Sequence, residues 1–383
     1  MVKIIVGASH VGGAKAIIPV AQKLAEKYDV LCLGGVHSNG VFEQSGLDFL
    51  FTDLESGRGG SFVVNPGTFF LTGTNSYDDQ NGLDRILTWR ARERNLPVVS
   101  VLDLGTQLEQ RFDDVEDKRL APYWPSALAV PDSATVNNIN RILDDRGLDV
   151  RVEETGNPAF DRLKKRSLDF FLDKGPERIR AELGVSSPKN RLIMFGANAW
   201  KKDITPDRDY WDLDVLHKIV GTLNRLVDGT AIGDKTLLAV NLHPRMPAPE
   251  RAEVERYINQ LEKRPHYEVR LMKPGEYDSI ELGLASDLVL GEFSTMLLEF
   301  TYMGFPVASV QPGIDPEKDQ LITNKVRATP LITTSQQLDN FIGTFFTRLD
   351  RQKYMAEVAP NRKNFTTDGQ ATERVLSLVH EYL

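Results

Sequence analysis

The chain of 383 residues has one cysteine, Cys32. It can form no internal disulfide, and its setting in the apolar run Val30-Leu31-Cys32-Leu33 makes it a buried, inert thiol compatible with a reducing cytoplasm. No apolar run approaches the ~18 residues of a membrane span. The opening MVKIIVGASH is too short and too strand-like for a signal peptide. A cytoplasmic protein is expected, with any membrane contact peripheral. Basic residues do not predominate. The net charge of -8 argues against non-specific nucleic-acid binding and leaves only a local basic groove open. Low-complexity segments are absent, as are repeats beyond two similar α/β halves. The dinucleotide fingerprint GxGxxG is missing from GASHVGGAK, so no nicotinamide cofactor is inferred. No His/Cys cluster at ligand spacing is present, so no metal is expected either.

What is present is an ordinary globular composition, 41% apolar and 26% charged, in a chain too long for one core. Two domains are expected. The most informative stretch is Leu282 to Val310. Leu288-Val289-Leu290 reads as a strand buried on both faces. Gly291 to Thr295 reads as a turn, Met296 to Met303 as a helix packed on a sheet, and Gly304 as its left-handed cap. Val307 to Val310 is the following strand. Such a turn lies at the carboxyl edge of the sheet, where the first amides of the helix favour an anion. Ser294 and Thr295 add hydroxyl donors, and Glu299 follows one helical turn later on the same side. The bland alternative for Ser294-Thr295 is a helix N-cap. Glu299, costly to bury unpaired, must meet either a cation or a polar cleft.

The chain opens in the same way. Lys3 to Val6 is a strand, Gly7 to Lys15 a glycine-rich turn, Ala16 to Lys27 a helix, and Val30 to Leu33 a strand. The glycines either permit tight helix-sheet packing or let amides near Gly12 and Gly13 cradle a substrate group, with His10 facing the cleft. Further strands are Phe69 to Thr72, Leu96 to Leu102, Ala127 to Val130 and Val150 to Val152. Helices run over Leu83 to Arg94 and Ala134 to Leu143. Asp103 lies just past a strand end, where open α/β sheets place functional side chains. It is equally suited to capping a helix or pairing with Arg111. After Gly156-Asn157-Pro158, Ala159 to Leu172 is a connecting helix, and Ser186 to Asn190 has linker composition. Strands then follow at Arg191 to Phe195, Thr236 to Leu242 and Glu268 to Met272. The intervening helices are Asp214 to Leu226, Pro249 to Leu261 and Tyr277 to Ala285. The stretch Ser335 to Tyr354 is mainly helical, and a last helix starts near Asp368. The domains are therefore 1-160, a connector 161-190, a second domain 191-365 and a C-terminal helix 366-383. Both domains are doubly wound and Rossmann-like.

Several short motifs resemble those of GT-B proteins, the fold of many nucleotide-sugar glycosyltransferases and of UDP-N-acetylglucosamine 2-epimerases. They are GNPAFD at Gly156 to Asp161, NLHPR at Asn241 to Arg245, the SDLVLGEFSTMLLEFTYMGFPVASV segment, TDGQATERV at Thr367 to Val375, and GASHVGGAKAIIPVAQKL. NLHPR is similar to the His-Pro strand end of polysaccharide and teichoic-acid-type transferases. The resemblance implies an interdomain cleft with the donor on the second domain and the acceptor on the first. It implies that Ser294 and Thr295 bind donor phosphates, Glu299 the ribose, and His243 the phosphate region. Arg245 would neutralise the leaving nucleotide, where charge develops as the glycosidic bond breaks. The structural alternatives for His243 are a solvated loop residue and a hydrogen-bonded core histidine. The general base, which must reach the acceptor hydroxyl, falls to His10 or Asp103, with Asp79 a loop outsider.

These observations lead to a metal-independent glycosyltransferase that takes a nucleotide-sugar as co-substrate and passes the sugar to a cell-envelope or polysaccharide-type acceptor. Gly291-Glu292-Phe293 stands where the epimerases carry Asp-Ser-Gly-Gly, which places a 2-epimerase second. A non-catalytic nucleotide-sugar-binding subunit is the third reading, and a homodimer is left open.

Overall fold

The structure, a computed structural model, describes residues 3–35, 37–51, 66–75, 82–112, 123–198, 209–228, 234–244, 246–319, 321–347, 351–363, 365 and 367–383. Arg245 and Asp79 lie outside the described residues.

The chain divides into two compact units. Unit 1 comprises Met1–Lys164 and Thr367–Leu383, and unit 2 comprises Lys165–Thr366. In unit 1 the order is β1 (Lys3–Ala8), α1 (Val11–Ala25), β2 (Asp29–Gly34), α2 (Asn39–Glu43), β3 (Phe49–Phe51), β4 (Thr68–Thr72), α3 (Leu83–Glu93), β5 (Val98–Val101), α4 (Leu108–Phe112), β6 (Ala127–Val130), α5 (Ser133–Arg146) and β7 (Arg151–Glu154). Helix α6 (Asp161–Leu172) starts in unit 1 and passes into unit 2, followed by α7 (Gly175–Glu182). Unit 2 continues with β8 (Arg191–Gly196), α8 (Asp212–Asp228), β9 (Thr236–Asn241), α9 (Ala248–Gln260), β10 (Tyr267–Leu271), α10 (Ser279–Ala285), β11 (Leu288–Gly291), α11 (Thr295–Tyr302), β12 (Val307–Val310), α12 (Ile322–Lys325), β13 (Leu331–Ile332), α13 (Ser335–Thr347) and α14 (Arg351–Arg362). Helix α15 (Ala371–His380) belongs to unit 1 again.

Both sheets are parallel throughout. The first has the order β3-β2-β1-β4-β5-β6-β7 and the second β10-β9-β8-β11-β12-β13. The continuous apolar runs explain this. Ile4, Ile5 and Val6 are all buried, as are Leu192 to Phe195, because helices cover both faces of each sheet. In each unit the strand order reverses beside the first strand, between β1 and β4 and between β8 and β11. Ligands of open α/β sheets bind at such switch points, outside the carboxyl ends of the strands. The doubly wound expectation therefore holds in both units.

One sequence expectation shifts. Helix α1 begins at Val11, not Ala16, so the glycines lie in its first turn and only Ser9 and His10 separate strand from helix. A side chain on Gly13 would come within 3.2 Å of the Thr74 backbone, so the absence of a Cβ lets the helix sit on the end of β4. The stretch Ser335 to Tyr354 is mainly helical as expected, and is divided between α13 and the start of α14. The short β3 and β13 had too little alternation to be seen.

The GNPAFD and TDGQATERV motifs meet although more than 200 residues separate them. The Asp161 carboxylate accepts from the backbone N–H of Ala371 (3.0 Å) and of Thr372 (2.7 Å), and from the Thr372 hydroxyl (2.6 Å). It thus caps α15 from a distance, where a carboxylate also suits the helix dipole. Arg374 donates to the Thr155 carbonyl and is held by Asp368. Val375, Leu376, Leu378 and Val379 then complete the core between α1 and the first sheet.

Candidate functional site

At the switch point of unit 1, His10 is the residue before α1, with no side-chain cap bond. Its ring stacks on that of His37, centroids 5.0 Å apart and planes 14° from parallel. Asp103 follows β5 and sits against the first turn of α1, since a Cβ on Gly12 would lie 2.2 Å from its Oδ2. Its other oxygen pairs with Arg111 at 2.8 Å. Arg111 is buried and also donates to Thr74 Oγ1 (2.7 Å) and the Thr106 carbonyl (2.8 Å). Asn157 donates to the Asp103 carbonyl (2.9 Å), which joins the GNPAFD motif to this site. The pairing with Arg111 anticipated from the sequence is therefore present. His10, Gly12, Gly13 and Asp103 gather at one edge of the sheet, and the first turn of α1 already faces an anion, the Asp103 carboxylate.

Sequence reasoning missed Asp84 and Arg85. Asp84 lies in the first turn of α3 and accepts the Ser9 N–H at 3.2 Å with both oxygens. Burial pushes its pKa up to about 6, against the hydrogen bonds from Ser9, with the Asp103 charge adding to the rise. Arg85 stands over the Tyr123 ring, 5.2 Å from its centroid. Together with Thr74, Asn75 and Arg111 these side chains line a small polar pocket. In the sequence Asp84 and Arg85 look like the solvated charges of a helix start. Only the way α3 leans on the strand ends buries them.

In unit 2, the turn after β11 carries Glu292, Phe293 and Ser294. Ser294 is the N-cap of α11, accepting the Leu297 N–H on its Oγ. Thr295 is exposed, and Ser294 and Glu299 are half-buried. The cap reading of Ser294 is thus realised, and Thr295 keeps its hydroxyl at the surface. Glu299 is near a cation. Partial burial works against the charge of Arg166, but Asp278, Glu281 and Glu299 outweigh it and hold its pKa above the usual arginine value. His243, two residues past β9, is half-buried, and its carbonyl accepts the Met246 N–H at 2.9 Å.

A buried polar network lies beneath this turn, and the sequence did not point to it. Asn198, past the end of β8, donates its N–H to Asp212 Oδ1 (2.6 Å) and its amide to Glu292 Oε2 (3.4 Å). Asp212 and Glu292 are both buried, and Asn198 reaches each of them. Burial pushes the Asp212 carboxyl upward, against the hydrogen bond from the Asn198 N–H. Ser309 donates to the Glu292 carbonyl, and Gln311 ties Ser309 (3.0 Å) to Asp319 (3.0 Å) and accepts from the Tyr210 hydroxyl (3.0 Å). Glu292 joins this network to the turn through its side chain and its carbonyl.

Among the described residues, no group of three or more His, Cys, Asp or Glu side chains could hold a metal ion. No helix of the described residues is long and apolar enough to cross a membrane.

No family model matches the chain, and no curated protein does. Solved structures do match over the whole length. The MnaA protein of S. aureus, solved with UDP, has a TM-score of 0.66 at 15% identity, with 100% of this chain and 97% of that one covered. The UDP-GlcNAc 2-epimerase of Neisseria meningitidis, bound to UDP-GlcNAc, has 0.63 at 12% identity, covering 99% and 100%. The wall teichoic acid polymerase TagF has 0.51 at 14% identity, covering 99% and 88%. The chain therefore shares the two-unit, Rossmann-like α/β fold of these structures, at an identity that speaks for fold alone.

Proposed function

We propose that this chain is an enzyme of nucleotide-activated sugars, and that it works as a glycosyltransferase passing the sugar to a cell-envelope or polysaccharide-type acceptor. The observation that carries the nucleotide reading is the turn from Gly291 to Ser294 at the switch point of the second sheet, with α11 starting behind it and Glu299 one turn further on. The free amides and positive end of that helix suit a phosphate. The Thr295 hydroxyl adds a donor there. Glu299 has the chemistry to accept from two ribose hydroxyls. His243 and Arg245 supply cationic or donor groups for the diphosphate, whose charge grows as the bond to the sugar breaks. In unit 1, His10 and Asp103 are the candidates for removing the acceptor proton, with Gly12 and Gly13 on the acceptor side. Arg111 fixes the Asp103 carboxylate in place at 2.8 Å, and His10 stacks on His37.

A nucleotide-sugar 2-epimerase is the second reading, favoured by the higher TM-scores of MnaA and the Neisseria enzyme relative to TagF. A panel of nucleoside diphosphates in a thermal-shift assay is the test of the common part. A ligand at 100 times its Kd should add about 2.7 kcal/mol of stability, and no shift with any base would reject the site in unit 2. Incubation of the preferred nucleotide-sugar without acceptor then separates the readings. Epimerised sugar favours the second, transfer only on adding acceptor favours the first, and tight binding without turnover leaves a binding subunit.

A further inference from the structure

Helix α6 is apolar on two sides. Leu163 and Phe170 point inward, each 7% exposed. Leu168, Phe171 and Leu172 point outward and are 58%, 40% and 71% exposed. Their spacing of three and four residues puts the three on one stripe. A helix that needed only solubility would carry polar groups there. Exposed Lys164 and Lys165 precede Leu168 by one turn and so sit at the head of the same stripe, and Lys174, also exposed, follows its foot. From Arg162 to Lys174 there are five basic residues, of which Arg166 is engaged by Asp278, against the carboxylates Asp169 and Asp173. This is a local excess of positive charge in a chain of net charge -8.

We infer that the outward face of α6 docks on an anionic lipid surface, with Leu168, Phe171 and Leu172 entering the headgroup boundary and Lys164, Lys165 and Lys174 meeting the lipid phosphates. Apolar side chains combined with flanking lysines are what an interfacial helix needs, and the lysine stems can lie along the apolar layer while their ammonium groups reach the charge. A second copy of the chain is the poorer occupant. The three side chains expose roughly 300 Å², against about 800 Å² per partner in a standard interface, and two faces rich in lysine would repel. The inference stands on α6 alone and is independent of the reaction proposed above.

The experiment is co-sedimentation of the full chain with vesicles of phosphatidylcholine containing one-quarter phosphatidylglycerol, and with phosphatidylcholine alone. Binding to the anionic vesicles is expected, with roughly tenfold or greater loss in Leu168→Ser/Phe171→Ser/Leu172→Ser and in Lys164→Glu/Lys165→Glu. Because these side chains already face solvent, the thermal melts of both variants should match the parent. Leu172→Cys gives an independent readout, since the other thiol, Cys32, is buried. An environment-sensitive fluorophore there should shift to the blue on anionic vesicles. Absence of binding by the parent chain, equal binding by the triple variant, an unshifted fluorophore, or a dimer that the triple variant dissolves would each overturn the inference.

Discussion

Three residues carry the sharpest consequences. Cys32 is fully buried, and burial, with Asp48 adding, pushes its thiol up to about 12, so it stays protonated and inert as its sequence setting indicates. Glu299 is the residue to which the proposed function gives the donor ribose, and its charge also acts on Arg166. Glu299→Ala should weaken nucleotide binding by roughly tenfold or more, as expected for losing hydrogen bonds to a charged group, while the thermal midpoint barely moves. Isothermal titration with the nucleotide selected by the panel measures this, and unchanged affinity would remove Glu299 from the site. Asp84 has a folded pKa of about 6 against a usual value of 3.8. The folded state therefore holds this proton more tightly than the unfolded one. The associated stability is complete below about pH 4, is lost as pH rises to about 6, and stays lost above, a swing of about 3 kcal/mol. Asp84→Asn still offers an acceptor to the Ser9 N–H but carries no charge. It should be more stable than the parent at pH 7.5, and the advantage should vanish near pH 4. A variant equally stable at both values would mean that Asp84 titrates normally.

At the scale of elements, the β11-to-β12 unit shows how local signals add up. Ser294 caps α11 at one end. At the other, Gly304 takes φ +71°, its N–H reaches the Thr301 carbonyl (3.0 Å), and the Phe305 N–H reaches that of Phe300 (2.8 Å). This is the paired closure of a left-handed glycine cap. Ser294→Ala should cost about 1 kcal/mol of unit 2 stability through the lost cap, read as a lower urea midpoint at an unchanged slope. These ends were legible because capping depends on residues adjacent in sequence. The start of α1 was not, since Gly12 and Gly13 look like turn residues until the Asp103 carboxylate and the Thr74 backbone are brought against them. The capping of α15 by Asp161 is likewise invisible locally. Asp161→Ala leaves two N–H groups of α15 without their carboxylate, and a loss of about 2 kcal/mol is expected. Chemical denaturation followed by amide exchange should show the earliest opening in α15, and opening elsewhere first would contradict this role.

For the whole molecule, the chain leaves unit 1 through α6, builds unit 2, and returns to lay α15 on the core of unit 1. Removing residues 367–383 should therefore destabilise unit 1 although it deletes only the end of the chain. The apolar face of α15 supplies four buried side chains to that core, each worth about 2 kcal/mol. Calorimetry should show the unit 1 transition moved well below that of unit 2, and an unmoved transition would mean that α15 is an accessory. The sequence alone determined the alternation of strand and helix, the parallel sheets buried on both faces, the inert cysteine and the turn from Gly291 to Ser294. Each of these follows from periodicity, propensity or capping among residues a few positions apart. Only the tertiary structure decided that Asp103 pairs with Arg111 rather than capping a helix, that Asp84 and Arg85 are buried, that Asn198 links the buried Asp212 and Glu292, and that Asp161 caps a helix more than 200 residues away. The physical reason is that the cost and the role of a charge depend on its solvation and on which opposite or like charge lies within a few ångströms. Both are properties of contacts between distant segments, which no short window of sequence contains.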